Sequence, residues 1–163
     1  MVPLEPLIWH LSPRTGARSW NPAYFYKANP AAIQAMMSLE KALSKSPLEK
    51  PLTELVRLRA SQINGCAYCV DLHTSDARKG GEDDRRLATV SVWQETPFFT
   101  DRERAALAWT EAVTLVAETR VPDDVWQAVR AQFSDAELVD LTLLVSTINA
   151  WNRLAISFRK LPA

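Results

Sequence analysis

From residue 31 onward the apolar positions fall at helical spacing, in blocks separated by proline, glycine and asparagine. Asn29-Pro30 supplies a cap and a first-turn proline for a helix over AAIQAMMSLEKAL to about Ser44. Ile33, Met36, Met37, Leu39 and Leu43 form its stripe, and the methionines read as core packing. After a break at Ser46-Pro47, a second helix turns Leu52, Leu55, Val56 and Ile63 inward. It stops at Asn64-Gly65, two residues that tolerate left-handed backbone. A third helix starts at about Cys66, places Cys66, Cys69, Val70, His73 and Ala77 on its apolar stripe, and closes at Gly80-Gly81.

Further on, DDRRLATVSVW reads as a short helix ended by Glu95-Thr96-Pro97. Thr100 with Glu103 and Ser134 with Glu137 have the spacing of capping boxes. The first box starts a helix through ALAWTEAVTLVAE, and another helix follows Val121-Pro122-Asp123. The second box starts a helix running to about Arg159 that is apolar nearly all round, which in a small domain means a central position or a face shared with another subunit. The pattern predicts an all-α fold of six or seven helices, spanning residues 31–163 and assembled as a homo-oligomer. Residues 1–30 carry Pro3, Pro6, Pro13, Pro22 and Pro30 and read as an irregular arm. Its aromatics Trp9, Trp20, Tyr24, Phe25 and Tyr26 imply that it packs on the domain or on a neighbouring subunit.

The chemistry concentrates in residues 54–73, ELVRLRASQINGCAYCVDLH, which hold both cysteines of the chain and one of its two histidines. A lone C-x-x-C offers a redox pair or part of a metal site, and it lacks the second pair needed for a four-thiolate zinc site. At about 100° per residue, Cys66, Cys69 and His73 share one face of the new helix, and a helix N-terminus eases thiolate formation. In one continuous helix Glu54 would lie about 18 Å from Cys66. If the chain reverses at Asn64-Gly65 into an antiparallel hairpin, Glu54 instead comes level with His73, and a relay from Glu54 to His73 to the thiols becomes available. His10, the other histidine, has nothing ligand-like beside it and is left out of the site.

Glu54, Cys66, Tyr68, Cys69 and His73 fill every fixed position of the pattern E-x11-C-x-(H/Y)-C-x3-H. In this the chain resembles the AhpD-like alkylhydroperoxidases of the carboxymuconolactone decarboxylase superfamily, and the looser likeness runs from about Ala31 to Arg159. Segments ETPFFTDRERAALAWTEAVTL and NAWNRLAISF look similar to those of single-repeat members. The resemblance implies an AhpD-like helical domain and a thiol-dependent peroxidase acting on organic hydroperoxides or hydrogen peroxide. It further implies that Cys69 attacks the peroxide, that Cys66 resolves the sulfenic acid to a disulfide, and that the assembly is a trimer or hexamer. Tyr68 stands where many members have histidine, which removes a second proton carrier.

The 19 basic and 19 acidic residues balance, giving no electrostatic case for nucleic acid or an anionic membrane surface. No apolar run approaches the roughly 20 residues of a membrane span. The N-terminus has no secretory signal pattern, so a cytoplasmic location is the expectation. No phosphate loop or other cofactor motif is present, so no cofactor is expected and the reductant would be an external dithiol or protein. Three other readings are open: a zinc module on Cys66, Cys69 and His73 with Glu54, a redox-responsive interaction protein, and a lactone decarboxylase, which the resemblance implies would not rely on a C-x-x-C pair, so that the cysteines count against it. Asn149, Trp151, Asn152 and Arg153 mark the last helix with polar groups, read as a structural hydrogen-bond network, an interface contact or a substrate contact.

Overall fold

The computed structural model describes residues 24–162, and all regular structure among them is helical. In chain order the α-helices are α1 (Tyr24–Ala28), α2 (Pro30–Leu43), α3 (Lys50–Asn64), α4 (Ala67–Lys79), α5 (Asp84–Thr89), α6 (Asp101–Thr114), α7 (Val116–Thr119), α8 (Asp123–Gln132) and α9 (Asp135–Ser157). A 3-10 helix, Val90–Glu95, continues from α5.

Local signals set most of these boundaries. The Asn29 side chain accepts from the Ala32 N–H and Pro30 opens α2, while both predicted capping boxes form, at Thr100 with Glu103 and at Ser134 with Glu137. The expected count of six or seven helices is exceeded by the short elements α1, α7 and the 3-10 helix. The segment after α5 tightens to 3-10 geometry, which stacks residues three apart and turns Val90 and Trp93 together into the core. The helix expected through Glu118 breaks at Leu115, and the Thr119 hydroxyl donates to Ala112 O at 2.7 Å beneath the break. The reading of an irregular arm is corrected over its last part, because Tyr24–Ala28 is helical. Phe25 is buried there, with its ring 5.6 Å from that of Phe158 at the end of α9. Trp9, His10 and Trp20 lie outside the described residues.

Helix α3 lies at the centre, packed against α4, α6 and α9. Leu52 and Val56 on one side join Trp109, Phe133, Leu141 and Val145. Leu55 and Leu58 on the other join Leu87, Val90, Trp93 and Leu107. Burying each such side chain contributes roughly 1.5–3 kcal/mol, so α3 is fixed from both faces and is a rigid platform for what it carries. Among the methionines, Met36 is half-buried and Met37 is 49% exposed, so the core role expected for Met37 is not what the structure gives. Met37 instead borders a cavity described below.

Gly65 ends α3 in left-handed backbone (φ 69°, ψ 31°), and a Cβ there would meet nothing within 4 Å. Gly65→Ala is therefore a pure backbone penalty, expected to cost about 1–2 kcal/mol and to lower the melting temperature by about 2–8 °C, with Gly65→Asn milder. Thermal melts of the two variants check this, and an unchanged Gly65→Ala melt would contradict it.

Candidate active site

The reversal between α3 and α4 is fixed by hydrogen bonds on both sides. Beyond Gly65 the Cys66 N–H returns to Ser61 O at 3.0 Å. The Asn64 amide donates to Asn149 Oδ1 at 2.6 Å and to Asn152 Oδ1 at 2.8 Å, and the Asn152 amide donates to Ser61 Oγ at 3.0 Å. Asn149 also donates to Thr114 Oγ1 at 3.2 Å and accepts from Arg153. Of the readings open for these α9 polar residues, a structural network is what Asn149, Asn152 and Arg153 form.

Cys66 is the N-cap of α4, and its sulfur accepts from the Cys69 N–H at 3.3 Å. The two sulfurs are joined as a disulfide, with the Cα atoms 5.3 Å apart. Both residues are buried, in a cluster with Ala155 and Tyr68. They differ in access: a cavity of about 330 Å³ is lined by Cys69, His73 and Glu54 and not by Cys66.

One turn beyond Cys69, His73 Nδ1 lies 2.8 Å from Glu54 Oε2, so the hairpin makes the contact that the sequence predicted. The carboxylate can only accept, which places the imidazole proton on Nδ1 and leaves Nε2 as the basic nitrogen of the neutral ring. Behind Glu54 the network continues. Arg57 donates to Glu54 Oε1 at 2.9 Å and to Glu40 Oε2 at 3.0 Å, and the Trp151 indole donates to Glu40 Oε1 at 3.0 Å. Burial pushes the Glu54 carboxyl up, but the hydrogen bond and charge of His73, together with Arg57, outweigh it and hold the group below its ordinary value. Glu54 therefore stays ionised and fixes the ring.

All the predicted site residues, Glu54, Cys66, Cys69 and His73, are brought together. Sequence reasoning missed Glu40, Arg57 and Lys160. Arg57 was findable, since it lies one turn from Glu54 and such pairs meet on a helix. Glu40 and Trp151 meet across 111 positions, which no local pattern encodes. Among the described residues no group of three or more His, Cys, Asp or Glu side chains is arranged to hold a metal ion. No helix among them is long and apolar enough to cross a membrane.

A helical hairpin with a cysteine pair at the start of its second helix, backed by a histidine of that helix and a glutamate from across the turn, is the architecture of an AhpD-like domain. The chain belongs to the carboxymuconolactone decarboxylase family, whose model matches residues 30–112. The uncharacterized protein YdfG of Bacillus subtilis is 41% identical over 133 residues, a match covering 82% of this chain and 90% of YdfG. The uncharacterized protein YnjA of Escherichia coli is 35% identical over 106 residues, which is 64% of this chain and 57% of YnjA. Among solved structures, ATU0492 of Agrobacterium tumefaciens, a protein of unknown function, superposes with a TM-score of 0.83 at 45% identity over 85% of this chain and 95% of that one. The debrominase Bmp8 shares the fold, with a TM-score of 0.75 at 16% identity over 88% of this chain and 77% of its own.

Because the folded Glu54 carboxyl titrates below its unfolded value near 4.5, the stability from its pairing is fully present above that pH. It is lost as pH falls through the lower folded value. In urea melts across this range, the stability gap between wild type and Glu54→Gln should shrink as pH falls below about 4.5. A gap that widened on acidification would contradict the assignment.

Proposed function

We propose that the protein is a thiol-dependent peroxidase that reduces organic hydroperoxides or hydrogen peroxide through a dithiol–disulfide cycle of Cys66 and Cys69. The observation that carries this reading is the shared cavity: Cys69 borders it together with the His73–Glu54 pair, while Cys66 lies behind. A peroxide entering there meets one sulfur and one base. ATU0492, the 45% identical neighbour, is described as a candidate antioxidant defence protein AhpD, in keeping with this chemistry.

In the reduced protein, His73 accepts the Cys69 thiol proton through Nε2, directly or through one water, and Glu54 stabilises the imidazolium that results. The start of α4 favours the thiolate. Cys69 Sγ attacks the terminal peroxide oxygen and the O–O bond breaks. The hydroxyl stays on sulfur as sulfenic acid, and the alkoxide leaves as alcohol with the proton returned by His73. Cys66 Sγ then displaces that hydroxyl, releasing water and forming the disulfide. An external dithiol, small or protein-borne, restores both thiols and is itself oxidised to a disulfide. Every step uses groups of this chain, the peroxide or the reductant.

The same reading takes the protein as a cytoplasmic homo-oligomer. Association is supported by apolar side chains left in solvent along α9, with Val139 59% and Leu143 39% exposed beside an exposed Trp126. Cys69→Ser should lose peroxide turnover almost completely. His73→Ala should slow oxidation of the dithiol by roughly 10²–10⁴-fold while leaving the thiols countable. Stopped-flow oxidation of the reduced variants checks both, and wild-type rates in Cys69→Ser would overturn the reading.

A further inference from the structure

The cavity in front of Cys69 is lined by both apolar and charged side chains. Phe25, Tyr26, Met37, Leu72, Ile148 and Ala155 make the apolar wall. Most of the charged groups are already engaged. Glu54 is held by His73 and Arg57, Arg57 also by Glu40, and Asp76 by Lys79 at 2.9 Å. Lys160 also lines the cavity, and its surroundings differ.

Lys160 follows the end of α9, with its backbone N–H bonded to Ala155 O at 2.9 Å after left-handed backbone at Arg159 (φ 58°). Its ammonium lies 3.9 Å from the centroid of the Tyr68 ring, 5.3 Å from that of Tyr26 and 3.4 Å from Tyr26 Oη. None of these partners is a carboxylate. Among the described residues no carboxylate lies within ion-pair distance of it, so it is the cavity's cation without an anion. Burial works against its charge, but the contacts with Tyr68 and Tyr26 outweigh burial and hold its pKa above the ordinary value. Two aromatic rings set the position of the ammonium.

We infer that Lys160 is an anion-binding subsite of this cavity, and that the substrate is an organic hydroperoxide with an apolar body and a carboxylate at the end away from the peroxide. The apolar wall takes the body, and the carboxylate makes the charge-assisted bond that Lys160 lacks. Glu40 and Glu54 in the same cavity disfavour a multiply charged anion such as a phosphate ester, because they repel charge beyond what one ammonium neutralises. The substrate half of this inference rests on the peroxidase reading, and the subsite half does not.

Calorimetric binding of 4-isopropylbenzoate and of its neutral amide to the reduced full chain reads the subsite with no turnover. The acid should bind about tenfold tighter than the amide, a preference that falls to about one in Lys160→Met and is largely kept in Lys160→Arg. No measurable binding of the acid, equal binding of acid and amide to wild type, or a preference unchanged in Lys160→Met would overturn the assignment. In a second arm, the hydroperoxide of 4-isopropylbenzoic acid should oxidise the dithiol faster than its methyl ester by about the same factor. If neither hydroperoxide oxidises the thiols while the acid preference persists in binding, the peroxidase reading falls and the anion subsite stands. If both oxidise them at equal rates, the carboxylate substrate falls and the peroxidase reading stands.

Discussion

The Asn64 amide donates to two carbonyl oxygens of α9, Asn149 Oδ1 and Asn152 Oδ1, and this clamp decides where α3 stops. Asn64 is partly buried, while Asn152 and its partner Ser61 are both fully enclosed, so an unmet Asn152 amide would cost about 1–3 kcal/mol. With Asn64 held, left-handed Gly65 turns the chain and Cys66 returns its N–H to Ser61 O. Everything chemical follows from that reversal. It puts Cys66 at the cap and Cys69 in the first turn of α4, and it folds α4 back along α3 so that Glu54, remote in an extended chain, touches His73.

Electrostatics then decides what the pocket can do. Two carboxylates, Glu40 and Glu54, sit in a partly buried site, where uncompensated charge is costly. Arg57 bridges them, the Trp151 indole completes Glu40, and His73 completes Glu54. Signs alternate along the chain of contacts, so the imidazole is oriented by a carboxylate that is itself oriented. Packing does the rest, because α3 is gripped by hydrophobic clusters on two sides and cannot tilt its carboxylate away. The geometry of the site is thus a property of one well-anchored helix and one clamped turn.

Much of this was legible because it is local. Asn64-Gly65 announces a helix stop, the two capping boxes fix the starts of α6 and α9, and the spacing of Cys66, Cys69 and His73 puts them on one face. The Glu54–His73 contact follows from the chain reversal at Asn64-Gly65. What stayed hidden depends on distant parts of the chain. The 3-10 turn through Val92 serves the packing of Val90 and Trp93, the break at Leu115 is tied by Thr119 to Ala112 O, Met37 leaves the stripe it matches, and Glu40 meets Trp151 across the fold. Lys160 gave no signal, since a lysine near a chain end is ordinary until the aromatic rings around it are placed.

The most direct measurement is a free-thiol count with intact mass, before and after one equivalent of tert-butyl hydroperoxide, on reduced wild type and on Cys66→Ser. With Cys69 as the attacked sulfur, wild type loses both thiols and two hydrogen atoms. Cys66→Ser, lacking the resolving sulfur, gains one oxygen atom at Cys69. If both thiols of wild type survive and Cys66→Ser keeps its mass, Cys69 is not a peroxide-reducing thiol.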